Sequence, residues 1–333
     1  MEEPRPSSKN INNNNNNNEA TPSSLDPILQ VAQEAALLAG KHIRLAWSNA
    51  STSSAATKGR NTDLVTETDQ HCEELVLDLL KRNFPSHCII GEETSSSSSD
   101  GKYRLTDAPT WTIDPIDGTT NFVHKLKLSC VIISFLLGKE PVVGVIYDPY
   151  ADELFWAVQN KGAFCTVNNI GKEGQQEKQQ RKIHVSNTES IPNAVVSMDP
   201  GYSRTDQAIQ QYSAVQACLL QKQVRNIRVL GSTGLNMAYV ACGRMDAAFE
   251  EGTWEGTDSR GPKIWDFSAG RLLVTEAGGV TRNLELPMTT AAAATEPIDL
   301  MGRSFFCAAT PTLAEELMRT IQEGRSRVVN HVR

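Results

Sequence analysis

Between Leu128 and Gln159 the chain carries three apolar, β-branched runs, LSCVIISFLL, EPVVGVIYD and ELFWAVQ, separated by turn signals at Gly138 and Asp148-Pro149. Runs of this kind, bounded by turn residues, read as the strands of a β-meander. Helical patterns flank them. DPILQVAQEAALLAGKHIRLAW offers Asp26 as an N-cap, Pro27 at the first helical position and apolar residues at helical spacing. A second helix is expected from Asp69 to Asn83, with Cys72, Val76, Leu79 and Leu80 on one face. Between the two, KGRNTDLVTETD reads as a polar turn and a short strand-like piece.

Further along, AVVSM reads as a strand and TDQAIQQYSAVQACLLQK as a helix. IRVLGSTGLNMAYVACG reads as strand, tight turn and helix. WDFSAGRLLVTEAGG reads as a helix from Asp266 ended by Gly278-Gly279. The polar stretch GKEGQQEKQQRK (171–182) reads as a solvated hairpin loop. Mixed strands and helices without an internal repeat predict a layered α/β or α+β fold. A length of 333 residues, 39% of them hydrophobic, suffices for one large core or for two that share an interface. The expected organisation is an Asn-rich disordered tail over 1–24, an N-terminal α+β subdomain over 25–182 and a C-terminal α/β subdomain over 183–333.

Net charge is −7 and no basic run occurs, so nucleic acid and anionic membranes are not expected partners. Any affinity for a phosphate ester must come from a local device. No stretch approaches 18 apolar residues, so no membrane span is expected, and the polar N-terminus lacks a signal-peptide core. Seven scattered cysteines, an odd number with no CxxC pair, fit a reduced, cytoplasmic setting.

The chemistry concentrates in WTIDPIDGTTNF, residues 111–122. Trp111, Thr112 and Ile113 favour a strand. Asp114 and Asp117 then flank Pro115, ahead of Gly118, Thr119 and Thr120. Asp, Pro and Gly are also ordinary turn residues. Glu92, however, likewise ends an apolar strand-like run, HCIIGEE. If the two strands are neighbours, three acids converge at one edge. Two carboxylates about 4 Å apart repel by roughly 4 kcal/mol at an effective dielectric near 20. Such a cluster calls for cations or protons, and hard oxygen donors select Mg²⁺ or Ca²⁺ over zinc. Gly118 permits close backbone approach, and Thr119 or Thr120 can open a short helix whose free N–H groups suit a phosphate. The three-residue spacing of the acids excludes the DxDxT nucleophile of haloacid-dehalogenase phosphatases. No GxxxxGK[ST] occurs, nor a GxGxxG after a strand.

Together, Glu92-Glu93 after a strand, WTIDPIDGTTNFVH and WDFSAGRLLVTEAGG resemble the inositol monophosphatase family of magnesium-dependent, lithium-sensitive phosphomonoesterases. The resemblance runs from about Leu25 to the last helix. LTDAPTW and KGAFC resemble the inositol monophosphatase branch more than its nucleotide or fructose phosphatase relatives. It implies a layered α-β-α-β-α sandwich like that of fructose-1,6-bisphosphatase, a homodimer, and a place in inositol metabolism and phosphatidylinositol signalling. It also implies two or three Mg²⁺ ions per site. Glu92, Asp114 and the Ile116 carbonyl would hold the first, Asp114, Asp117 and Asp266 the second, and Glu92 reaches toward a third. Asp69 and Thr119 match the pair that positions and deprotonates the attacking water. Gly118 and Thr119 would bind phosphate through backbone N–H groups. Gly231, Ser232, Thr233 and Glu250, beside Asp117 and Asp266, match substrate-facing positions, and Lys58 matches a mobile-loop lysine.

Other readings stay open at this stage. Asp69 and Asp266 also read as helix caps, and Glu250 as a solvated charge. EGTWEGTDSRGPKI, between Glu250 and Trp265, departs from the short link of compact family members. That leaves another small phosphomonoester as an alternative substrate: a sugar 1-phosphate, histidinol phosphate or a 3′-phosphonucleotide. An inactive family member acting as a scaffold is the alternative of a different class.

Overall fold

Strands dominate where β-branched residues cluster, and helices wherever an apolar face recurs at helical spacing. The computed structural model describes residues 24–49, 56–60, 63–96, 103–170, 176–250, 261–284 and 298–329. The Asn-rich tail up to residue 23, positions 251–260 of the long link and the side chain of Lys58 lie outside the described residues. In chain order the elements begin α1 (Asp26–Asn49), β1 (Ala56–Arg60), β2 (Asp63–Val65), α2 (Glu67–Asn83), β3 (Cys88–Gly91) and α3 (Glu92–Ser96). Next come β4 (Thr110–Asp117), α4 (Thr119–Val123), β5 (Cys130–Leu137), β6 (Glu140–Asp148), β7 (Glu153–Val158), β8 (Gly162–Ile170) and β9 (Gln176–Lys182). The rest are β10 (Val195–Asp199), α5 (Asp206–Gln221), β11 (Asn226–Arg228), α6 (Thr233–Ala241), β12 (Ala247–Glu250), α7 (Ile264–Glu276), β13 (Val280–Arg282), β14 (Phe305–Ala308) and α8 (Pro311–Val329).

β1 and β2 form a small hairpin. A seven-stranded sheet runs β3 to β9 in sequence order, antiparallel throughout except that β3 lies parallel to β4. A five-stranded sheet has the order β11-β10-β12-β14-β13, with β11, β10 and β12 parallel. Alternate residues of each strand point to opposite faces, and both faces of both sheets are covered. Ile113, Val131, Ile133 and Val145 pack under α1 and α2, whereas Cys130, Ile132 and Ile146 pack against α6 and α7. On the second sheet, Ala248, Phe305 and Cys307 join that same central layer, and Val196, Phe249 and Phe306 pack under α5 and α8. The order of layers is therefore α-β-α-β-α, as the resemblance implied, with α6 and α7 between the sheets.

Three local readings change. Residues 176–182, read as a solvated loop, form the edge strand β9 paired with β8. QEKQQRK has no period-two apolar signal because an edge strand needs none; the side chains of 178–182 are exposed, and charges on an edge oppose pairing with other chains. α2 starts two residues earlier than Asp69, and Thr66 is its N-cap. Of the two readings open for Glu250, the solvated charge falls: it is 8% exposed at the end of β12.

Candidate active site

The spacing of Asp114 and Asp117 poses a geometric problem. On a regular strand, residues three apart point to opposite faces. The β4–β5 ladder solves it with a bulge: Asp114 pairs with Ile132 and Asp117 with Cys130, so β4 spends one more residue than its partner. The extra residue falls at Pro115-Ile116, and a bulge accommodates a proline, which has no N–H to give the ladder. Ile116 N–H instead turns onto Asp114 Oδ1, at 3.0 Å. The two acids thus reach one side of the sheet.

Asp266 joins them from α7, where it occupies the third position and accepts the backbone N–H of Lys263. Ligand oxygens of Asp114, Asp117 and Asp266 lie within 4.8 Å of one another. Glu92 arrives from the neighbouring strand: β3 pairs with β4 as far as Gly91 opposite Ile113, which places Glu92 next to Asp114 at the same sheet end. It lines the same cavity, as do Ile116, Gly118, Thr119, Gly231, Ser232, Thr233 and Glu250. The sequence-predicted residues converge there except for two. Asp69 stands behind Thr119, and the Lys58 side chain lies outside the described residues.

The electrostatics are those of an uncompensated anionic cluster. Asp114 is 2% exposed, and burial, reinforced by Glu92, Asp117 and Asp266, holds its carboxyl well above the ordinary range. Burial raises Asp117 to about 6 against the hydrogen bonds it accepts. Burial, then Glu92 and Asp117, raise Asp266 to about 7. Burial, then Asp199, Asp266 and Asp117, also push Glu250 well up. An all-carboxylate donor set of this kind fits a hard divalent cation.

Asp117 does a second job. Its Oδ2 accepts Ser232 Oγ–H at 2.5 Å and Gly234 N–H at 2.7 Å, while Oδ1 accepts Thr233 N–H at 3.2 Å. It therefore sits on the N-terminus of α6, where orphan N–H groups and the helix dipole favour an anion. This ties the first sheet to the turn that opens α6.

Asp69 is neither solvent-facing nor an N-cap. It occupies the third position of α2 and closes a capping box, with Oδ2 accepting both Thr66 N–H and Thr66 Oγ–H. Oδ1 accepts Thr119 Oγ–H at 3.2 Å, and the same Oγ stands 3.1 Å from the Ile116 carbonyl. The cap reading and the functional reading are thus two faces of one carboxylate. Gly118 has φ +90°, and a Cβ there would meet the Leu128 carbonyl at 2.8 Å and that of Gly231 at 3.0 Å, so only glycine fits.

Sequence reasoning missed Asp199. It ends β10 directly opposite Glu250 on β12, lines the cavity and accepts Gly231 N–H at 3.0 Å. Its signal was present in MDPGY, an acid at a strand's end before Pro-Gly, the same grammar as IDPIDG. Pro200, Tyr202, Arg204 and Val229 complete that wall. The cavity lies outside the carboxyl ends of parallel strands in both sheets, the usual place for ligands in such topologies.

Similarity to known proteins extends over most of the chain. The sequence profile of the inositol monophosphatase family matches residues 24–326. Inositol monophosphatase 2 of Solanum lycopersicum is 42% identical over 256 residues, covering 77% of this chain and 87% of the relative. Inositol monophosphatase 1 of Bos taurus is 36% identical over 265 residues, covering 80% and 84%. Among solved structures, a Thermotoga maritima IMPase superposes with a TM-score of 0.70 at 24% identity, over 91% of this chain and 99% of that one, a match of fold. The inositol monophosphatase of Anabaena gives 0.66 at 28% identity, over 90% and 96%.

Proposed function

The chain belongs to the inositol monophosphatase family and is a phosphoric monoester hydrolase, and from that premise we propose that it hydrolyses inositol monophosphate to myo-inositol and phosphate with Mg²⁺. The observation that carries the metal requirement is the convergence of Asp114, Asp117 and Asp266 within 4.8 Å. Their oxygens, with Glu92 and the Ile116 carbonyl alongside, fit Mg²⁺ in two or three positions. Glu92, Asp114 and Ile116 would hold one ion, and Asp114, Asp117 and Asp266 another. A divalent cation held by these residues would supply charge neutralisation for the phosphate dianion, a lowered pKa for water and support for the leaving alkoxide.

The protein's own groups supply the rest. Water attacks phosphorus in line, with no phosphoenzyme, and its proton passes through Thr119 Oγ to Asp69 Oδ1. Thr66 holds Asp69 in place for that transfer. Gly118 and Thr119 open α4, where backbone N–H groups lack intrahelical acceptors and are free for phosphate oxygens. Ser232, Thr233, Gly231 and Glu250, with Asp117 and Asp266, face the alcohol. Glu250 accepts Thr233 Oγ–H at 3.5 Å. Homodimeric assembly and a cytoplasmic site of action complete the reading, and no helix among the described residues is long and apolar enough to cross a membrane.

One observation favours a second substrate. Tyr202 and Val229 are exposed beside the cavity, a partly apolar rim that suits a leaving group other than a polyol. A sugar 1-phosphate, histidinol phosphate or a 3′-phosphonucleotide would then replace inositol phosphate, on the same metal chemistry. The inactive-scaffold reading loses ground because every proposed ligand is present. Phosphate release from inositol 1-phosphate, with Mg²⁺ and with chelator, tests the proposal. Release that needs Mg²⁺ is the expected result. No release from it at any Mg²⁺ concentration, with release from another ester of the panel, would transfer the assignment to that ester.

A further inference from the structure

We propose that Glu73, a residue outside the cavity, is the positioning residue for Glu92. The proposal rests on the metal reading above. Glu73 lies one turn after Asp69 on the same face of α2 and is 2% exposed. A carboxylate buried this deeply persists only when its oxygens are hydrogen-bonded. The bonds all go to the segment that carries Glu92. Oε2 accepts Glu93 N–H at 2.8 Å, and Oε1 accepts Thr94 N–H at 2.8 Å together with Thr94 Oγ–H.

This bracket answers a need of the local backbone. α3 spans five residues, Glu92–Ser96, too short to be stable alone. Its first N–H groups have no intrahelical acceptor. Glu73 supplies one to each of the two peptides that follow Glu92. It thereby fixes the direction in which the Glu92 side chain leaves the end of β3 toward the cavity. Gly91 belongs to the same device: a Cβ there would stand 2.7 Å from the Glu73 carboxylate carbon, so a side chain at 91 would push the bracket away. α2 thus holds the proposed proton acceptor, Asp69, and the clamp on a proposed metal ligand on one rigid rod.

The test is cation binding, read by calorimetry with Mn²⁺ on the full chain, for wild type, Glu73→Gln, Glu92→Gln and the double variant. Melting temperature in EDTA is recorded beside it. Glutamine presents an NH₂ to one of the two backbone N–H groups, so α3 loses its fixed pose. The expected result is about tenfold weaker Mn²⁺ binding in Glu73→Gln, in the range seen when partners that orient metal ligands are removed. The double variant should bind no more weakly than Glu92→Gln alone, because Glu73 acts through Glu92. A lower melting temperature with unchanged Mn²⁺ affinity would make Glu73 a packing residue and overturn the proposal, as would losses that add in the double variant. If Glu73→Gln does not fold, Thr94→Ala, which removes only the hydroxyl donor, is read in the same titration. About threefold weakening is expected, the value of one hydrogen bond, and unchanged affinity overturns the proposal. Wild type that binds no Mn²⁺ would remove the metal reading itself, whereas binding that is undiminished in Glu73→Gln removes only the role of Glu73.

Discussion

Replacing Asp266 by Asn is expected to stabilise the metal-free protein at neutral pH while abolishing turnover. Burial and the neighbouring Glu92 and Asp117 hold this carboxyl at about 7, against 3.8 for an ordinary aspartate. A raised carboxyl binds its proton more tightly folded than unfolded. Stability is therefore lost as pH rises from about 4 to about 7, the window between the two values. At 1.36 kcal/mol per unit, the ionised group costs at most about 4 kcal/mol above pH 7 and under about 1 kcal/mol near pH 4. Asp114 and Asp117 compete for the same protons, which makes that figure a ceiling for Asp266 alone. Asparagine has the shape of the neutral acid, and its oxygen can keep the Lys263 N–H. Thermal melts in EDTA from pH 4 to 8 should therefore show two curves that coincide at acid pH and separate by several degrees at pH 7.5, at about 2–4 °C per kcal/mol. Saturating Mg²⁺ should then raise wild type far more than the variant. Superimposable curves across the whole range would refute the electrostatic reasoning, and near-wild-type turnover would show that Asp266 only caps α7.

Thr119→Ala should lower kcat about 10²–10⁴-fold with a much smaller change in KM, as should Asp69→Asn, and the double variant should fall far short of additivity; an effect confined to KM would leave Thr119 as a phosphate contact alone. Gly118→Ala forces a side chain into left-handed backbone at a cost of about 1–2 kcal/mol before any clash, so it should lower melting temperature and turnover together, and a variant unchanged in both would contradict the close approach to Gly231. Li⁺ should inhibit uncompetitively toward substrate, by entering a magnesium position after the alcohol leaves; purely competitive inhibition in steady-state kinetics would speak against that order. Shortening the 251–263 link with both ends kept should alter KM and the ranking of phosphomonoesters at a constant Mg²⁺ requirement, and an unchanged ranking in a substrate panel would make the link a passive surface segment.

Much of this was legible in the residues because the strongest signals are local. Apolar periodicity marked α1, α2 and the meander, and IDPIDGTT marked a strand end loaded with acids. What periodicity could not show was the bulge. From spacing alone Asp114 and Asp117 belong on opposite faces, and only the pairing with Ile132 and Cys130 shows how one added residue brings them together. Edge strand β9 was invisible because nothing apolar alternates in it. The choice between a solvated and a buried Glu250 stayed open because burial of an acid is decided by the strands and helices around it, not by its neighbours in sequence. Glu73 carried no signal either. An acid inside an amphipathic helix reads as a surface residue until the fold lays α3 across it.

The residues proposed for metal and those proposed for the alcohol come from different sheets yet are held in one frame. Asp117 belongs to β4 yet accepts its hydrogen bonds from the first turn of α6. Asn121 of α4 extends the link, its side-chain NH₂ group lying 2.8 Å from the Leu128 carbonyl, 2.7 Å from that of Leu230 and 3.2 Å from that of Gly231. Gly118 presses its backbone against the same two turns. A shift of the 230–233 turn therefore cannot occur without moving either the Asp117 carboxylate or the backbone that opens α4. The consequence is that the side proposed for the alcohol is braced against the side proposed for the phosphate. We expect substrate discrimination to come instead from the other side of the cavity, lined by Pro200, Tyr202 and Arg204, and from the link after Glu250. That is why substitutions there are expected to change which ester is cleaved, while substitutions at Asn121 or Gly118 are expected to change whether any ester is cleaved at all.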